Sequence, residues 1–258
     1  MSTTVSVVIP SLNDAQMLKH CLDALAAQTR APDEVIVVDN GSTDDTAEVA
    51  RAVGARVVEE PRRGVLRATA AGFDAAAGDI IGRLDADSRP APGWVARLEE
   101  RFDADPTLAG ITGSGTFYGR GPVWRFIGRY AYLGGYFWVF QGVVARVPLF
   151  GSNFALRREA WARVRDRVHL DDPRAHDDLD ISLVLEPGMG VDFDRRLEVG
   201  VSARPFESFA GFKRRALWAF HIVDVNFRER SWPRRVVANA QGRRKRRRAQ
   251  RELGIRRF

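Results

Sequence analysis

Apolar positions in the first hundred residues fall into two alternating rhythms. Val5-Ser6-Val7-Val8-Ile9, Glu34 to Asp39, Arg56 to Glu59 and Ile80 to Asp85 are short, continuous runs that predict buried strands. Between them, Leu18, Cys21, Leu22 and Leu25 recur at helical spacing. Ser42 precedes Asp45 by three, a capping-box spacing that predicts a helix opening there and running through Val53. Gly64 to Ala77 is Ala-rich and helical, and Pro92 starts a helix carrying Trp94, Val95 and Leu98. Strand alternating with helix predicts an α/β fold with a doubly wound, mostly parallel sheet.

Beyond Ala109 the rhythm changes. A strand is expected over Ile111 to Tyr118, an aromatic-rich helix over Val123 to Ala145, and a loop or strand over Gly151 to Arg158. A helix over Ile181 to Leu185, strands over Val191 to Ser202 and an amphipathic helix over Phe209 to Phe227 follow. The expected division is an α/β domain over 1–206, a helical C-terminal segment over 207–240 and a disordered basic tail over 241–258.

Charge changes this picture only once it is divided. The formal net charge of +7 hides a segment from Arg228 to Phe258 with thirteen Arg or Lys against two Glu, a net of +11, so the other 227 residues carry −4. The body is a mildly acidic globule with a cationic arm. The single Cys excludes a disulfide scaffold or a Cys-based zinc site and suits a reducing compartment. The first residues have no basic stretch and do not read as a secretory signal. The longest uncharged stretch, Tyr130 to Ala145, has 16 residues. A spanning helix needs about 20, so no bilayer crossing is expected.

The candidate chemistry is carboxylic. Ligands of open parallel sheets sit beyond the carboxyl ends of the strands, where Asp39, Asp85 and Asp87 fall. Two carboxylates one residue apart, Asp85 and Asp87, can share a hard divalent cation, although Asp-rich loops also serve simply as turns and caps. Asp177, Asp178 and Asp180 crowd the start of another helix, where they either complement its dipole or provide a general base.

Five segments in order carry a resemblance: Val5 to Ser11, Val37 to Asp44, Gly78 to Asp87, Gly151 to Arg158 and Asp177 to Asp180. Together, over roughly Thr4 to Phe206, the chain resembles the family 2 glycosyltransferases, inverting enzymes of the GT-A fold. The resemblance implies that Pro10 and Ser11 meet the nucleotide and that Asp39 reads its base, usually uracil. It implies that Asp87 is the metal ligand, with Asp85 facing the ribose or the metal, and that Mg2+ or Mn2+ is the cofactor. Gly151, Ser152 and Asn153 would flank the donor sugar and acceptor. Asp178 would be the catalytic base, with Asp177 where the family often has Glu.

There are departures. Thr69 and Ala70 replace a frequent Arg-Asn pair, and no Gln-x-x-Arg-Trp motif of processive synthases occurs in Ala216 to Trp232. A single-sugar transferase is therefore expected. Of the histidines, His221 reads either as a further metal ligand or as packing beside Trp218 and Phe220, and His176 lies beside Asp177. A dinucleotide oxidoreductase would need Gly-x-Gly-x-x-Gly where Pro10-Ser11-Leu12-Asn13 stands, and a nucleotidyltransferase a Gly-rich basic loop near the start. The alternative retained is an inactive transferase-like protein that binds a nucleotide-sugar or glycan.

The aromatic run of Tyr130, Tyr132, Tyr136, Phe137, Trp138 and Phe140 reads as core, as an acceptor pocket or as a membrane-interface patch. With the cationic tail it leads us to expect peripheral attachment to an anionic membrane surface on its cytoplasmic face. A lipid-linked or cell-envelope glycan is the expected acceptor, and no specific nucleic acid is expected.

Overall fold

The computed structural model describes residues 3–119, 121, 128, 133–204 and 209–255. Eight strands form one sheet in the order β3-β2-β1-β4-β7-β6-β8-β5. The strands β1 (Val5–Ser11), β2 (Glu34–Asp39), β3 (Arg56–Glu59) and β4 (Ile80–Arg83) are parallel, as the early rhythm predicts. The second half is mixed. β7 (Phe154–Arg157) runs antiparallel to both β4 and β6 (Leu108–Tyr118). β8 (Gly190–Ser202) lies parallel to β6, and the short β5 (Arg89–Pro90) closes that edge antiparallel to β8.

Alternation along the buried strands builds two cores. Val5, Val7 and Ile9 of β1 and Val37 of β2 face α1 (Ala15–Ala26) and α4 (Trp94–Ala104), with Leu18, Leu22, Trp94 and Phe102 packed on them. Val8, Ile36, Val38 and Ile81 face α3 (Val65–Ala75), α6 (Arg158–Val164), α7 (Asp177–Val184) and α8 (Phe209–Glu229) through Phe73, Trp161, Leu179 and Ile222. The approach of α3 depends on Gly72, where an added Cβ would stand 2.4 Å from Val8 Cγ1 and 2.7 Å from Val38 Cγ2. Two faces buried by helices explain why these strands are continuous apolar runs rather than alternating ones.

The helix expected from Ser42 is shorter. α2 spans Thr46–Ala52, and Ser42 Oγ instead accepts the Asn13 amide at 3.0 Å. Asp44 Oδ1 accepts both the amide (3.1 Å) and the hydroxyl (2.5 Å) of Thr46, so an Asp–Thr turn competes with the capping box and moves the helix start. The predicted helix over Val123 to Ala145 lies partly outside the described residues; its described part is α5 (Gly134–Val144). The boundary expected at 206 also falls outside them.

Where disorder was expected over 241–258, the described part of the basic tail is helical through Glu252. α9 spans Trp232–Glu252, and one of its faces caps the end of α5. Trp232 Nε1, Asn239 Nδ2 and an Arg243 Nη1 donate to the carbonyls of Gly142 (3.0 Å), Val144 (3.2 Å) and Ala145 (2.8 Å). These are the acceptors a helix leaves orphaned at its C-terminus, where cations are also favoured. Arg246 then pairs with Asp105 and Asp192, each at 2.7 Å. Charge alone would leave this segment disordered, but acidic and carbonyl partners from three distant segments hold it. Among the described residues no helix is long and apolar enough to cross a membrane.

Candidate active site

The parallel register sets one side of the candidate site. Ser11 at the end of β1 lies opposite Asp39 at the end of β2, and Asp85 follows β4 by two residues. Asp39 Oδ1 accepts the Ser42 amide at 2.9 Å, which fixes the turn after β2. Ser11 is buried, and its Oγ has no hydrogen-bond partner among the described residues. An orphaned buried hydroxyl at a strand end is a group a ligand can satisfy. Pro10 sits beside it, part-buried, in register with Val38.

Asp85 and Asp87 stand in different surroundings. Both Asp85 oxygens are engaged, Oδ1 by Arg83 and Oδ2 by Ser152 Oγ at 2.6 Å. Burial works against its charge, but Arg83 and Ser152 together hold the Asp85 carboxyl below its ordinary range. Burial, then the charge of Asp85, pushes Asp87 upward, opposed by Arg204. Arg204 reaches Asp87 Oδ2 at 2.7 Å and Asp14 Oδ1 at 2.7 Å, joining the β1–α1 loop to the end of β8. Among the described residues both side-chain contacts to Asp87 fall on Oδ2, so Oδ1 is open there.

The far cluster arrives through α7. Asp178 Oδ2 accepts the Gly151 amide at 2.9 Å and the Tyr136 hydroxyl at 3.4 Å, while Oδ1 accepts the Leu179 amide at 2.7 Å. Burial and the adjacent Asp177 push the Asp178 carboxyl above its ordinary range. Asp177 is buried, takes the Thr69 hydroxyl at 2.6 Å and pairs with Arg83 at 2.8 Å. Asp180 leaves this group: its Oδ1 meets His169 Nδ1 (2.7 Å) and Asn226 Nδ2 (2.8 Å), tying α7 to α8.

The two clusters meet at Arg83. This wholly buried guanidinium bonds Asp85, Asp177 and the Gly151 carbonyl at once. The loop Gly151-Ser152-Asn153 closes the ring. Its first amide holds Asp178, its second side chain holds Asp85, and Asn153 fixes its end. Asn153 is fully buried, accepts from Trp94 Nε1 at 2.8 Å and donates to the Ser114 and Leu197 carbonyls. Its side chain thus serves the scaffold behind the loop.

Arg83, Arg204 and Asp14 are not among the residues expected at the site, and Thr69 enters the expectations only as a departure from an Arg-Asn pair. An Arg inside the apolar run before Asp85 was the available signal, since a buried guanidinium needs carboxylates. His176 lies at the head of α7 with its Nε2 buried and without a partner among the described residues, its ring 6.0 Å from that of Trp218. His221 is instead turned to Asp172, through Nε2. The aromatic run divides: Tyr136 and Phe137 pack on Phe150 at 5.9 and 6.3 Å, whereas Trp138 is 82% exposed.

The profile of glycosyl transferase family 2 matches residues 6–163, well over half of the chain. The chain belongs to glycosyl transferase family 2. An uncharacterized glycosyltransferase of Mycobacterium tuberculosis is 43% identical over 109 residues, 42% of this chain and 47% of that relative. The glycosyltransferase AglE of Haloferax volcanii is 37% identical over 101 residues, 36% of this chain and 33% of AglE. The matches thus span half or less of these relatives' lengths. Glucosyl-3-phosphoglycerate synthase from M. tuberculosis, crystallised with UDP, superposes with a TM-score of 0.60 at 24% identity, over 87% of this chain and 80% of that one. The same synthase in complex with Mn2+, UDP-glucose and phosphoglyceric acid gives a TM-score of 0.57 at 25% identity, over 86% and 80%. The fold is that of the GT-A glycosyltransferases, with a helical C-terminal region added.

One member of the far cluster bears on stability. The hydrogen bond that His169 Nδ1 donates to Asp180 raises the His169 pKa from 6.5 to about 9, against burial and with help from Glu229. Folding therefore favours charged His169. That stabilisation is complete below the unfolded pKa and is lost as pH rises through the folded one. Urea unfolding is expected to show a loss of about 2 kcal/mol from about pH 6 to about pH 10, flattened in His169→Asn. An equal slope in the variant would contradict this.

Proposed function

We propose that this chain is an inverting, metal-dependent glycosyltransferase that moves one sugar from a UDP-sugar to an acceptor hydroxyl. The acceptor we favour is a lipid-linked or cell-envelope glycan, reached at the cytoplasmic face of the membrane. The observation that carries the reading is the ring of Asp85, Arg83, Gly151 and Asp178, which joins a strand-end carboxylate pair to a single candidate base. Family membership and neighbours crystallised with Mn2+ and UDP support it.

In this reading Ser11 Oγ and the Asp39 oxygen that carries no hydrogen bond among the described residues would meet the nucleoside, and Asp85, with Ser152, the ribose or donor sugar. For the metal, the donor set is one open carboxylate oxygen on Asp87, and among the described residues no group of three or more His, Cys, Asp or Glu could hold an ion alone. This fits Mg2+ or Mn2+, which accept hard oxygens and fill their remaining positions with phosphate and water. Held by Asp87, such an ion would offset negative charge on the departing nucleoside diphosphate. Asp178 takes the proton of the acceptor hydroxyl as its oxygen attacks the anomeric carbon from the face opposite the diphosphate. The new bond to the acceptor oxygen forms as the bond to the phosphate oxygen breaks. One displacement inverts that centre.

Asp87→Ala separates metal from base. Calorimetry with UDP and Mn2+ is expected to show at least a tenfold (about 1.4 kcal/mol) loss of UDP affinity, with little further change on adding chelator. Unchanged, Mn2+-dependent UDP binding in Asp87→Ala would move the metal elsewhere. Absence of any UDP or sugar-nucleotide binding by the wild type would overturn the donor reading.

A further inference from the structure

A groove of about 990 Å3 opens between the end of α5, the start of β8 and the inner face of α9. The candidate site borders the C-terminal end of β8 at Arg204, whereas the groove borders its N-terminal end at Gly188 to Phe193. Its acids among the described residues are Asp105 and Asp192, and these are taken up by Arg246 and Arg101. Among the described residues that leaves Arg146, Arg243 and Arg247 in the lining with no acid paired to them. Arg146 donates to neutral oxygens, the carbonyls of Leu185, Glu186 and Met189 and Asn239 Oδ1. Its charged neighbours are further cations, Arg235, Arg230 and Arg243. Neutral acceptors satisfy donors without offsetting charge, so the pocket is electrostatically incomplete. Beside these cations stand Trp138, 82% exposed, and Trp232, 46% exposed, the latter fixed by its bond to Gly142.

We propose that this groove binds the phosphate group of an anionic lipid, with Trp138 and Trp232 in the headgroup layer. Guanidinium forks match the paired non-bridging oxygens of a phosphodiester, and indoles favour the boundary between hydrocarbon and water. Cations and large exposed aromatics in one groove suit a lipid better than a nucleic-acid backbone, which would use the cations and leave the mildly acidic body beyond them unpaired. The inference rests on the membrane part of the proposed function but not on the transfer reaction. It replaces a diffuse electrostatic arm with a built site.

Co-sedimentation of the full chain with phosphatidylcholine vesicles, with and without phosphatidylglycerol, tests it. The wild type should bind only the anionic vesicles. Arg243→Gln with Arg247→Gln should weaken binding by at least about tenfold, and the charge-matched pair Arg244→Gln with Lys245→Gln by no more than about threefold. Lipids brominated in the upper chain should quench tryptophan fluorescence in the wild type and much less in Trp138→Phe with Trp232→Phe. Unchanged melting temperature and UDP binding would show that these variants remain folded. Equal losses for the two charge pairs would overturn the groove site while keeping membrane attachment. Failure of the wild type to bind anionic vesicles would overturn both, and binding of single-stranded RNA instead would assign the groove to nucleic acid.

Discussion

Asp178→Asn is expected to lower the rate of transfer by at least about 10³-fold, with UDP affinity in the presence of Mn2+ within about twofold of wild type. The substitution keeps shape and volume. It also keeps an oxygen able to accept the Gly151 or Leu179 amide, so the loop around Ser152 should stay in place. What disappears is the group that accepts a proton. The pH profile gives a second reading of the same residue. Burial and Asp177 raise the Asp178 pKa, and the base acts only when ionised. Activity should therefore fall, as pH drops, at a higher pH than an ordinary carboxylate would give. Turnover above a tenth of wild type in Asp178→Asn would remove it from the base role.

Arg83→Met is expected to destabilise the protein by about 3 kcal/mol and to abolish transfer. The side chains of Arg83 and Asp177 are 2% and 4% exposed, so the substitution strands a buried carboxylate beside Asp178. Asp85 is more exposed and should contribute less to the loss. Burial alone would disfavour the charge of Arg83, yet Asp177, Asp85 and Asp178 hold its pKa above normal. Arg83→Met with Asp177→Asn removes the stranded charge and should recover much of the stability, although not the activity. Urea unfolding of the single and double variants measures both. A fully stable Arg83→Met protein would contradict a ring held together by Arg83.

The difference between what the sequence tells and what it hides follows from the distance between partners. β1, β2 and β4 are legible because each is a continuous apolar run covered on both faces, and the parallel order follows from the helices between them. Asp39, Asp85 and Asp87 are legible because a strand end fixes where its last carboxylate stands. The roles of Arg83, Thr69 and Arg204 are hidden, because their partners Asp177 and Asp87 lie about a hundred residues away in sequence. The tail illustrates the same limit. Nine cations against one acid over 241–258 read as disorder, and only the fold reveals that α9 meets the orphaned carbonyls of α5 and the acids Asp105 and Asp192. Asn153 shows the converse case, a motif residue whose side chain is spent on the scaffold rather than turned to the candidate site.

The central claim is a single displacement assisted by Asp178, and the anomer released from the donor tests it without knowledge of the acceptor. With water as acceptor, UDP-α-glucose and Mn2+ should release β-glucose first, seen by proton NMR before mutarotation, and Asp178→Asn should release none. Initial release of α-glucose by the wild type would contradict the mechanism.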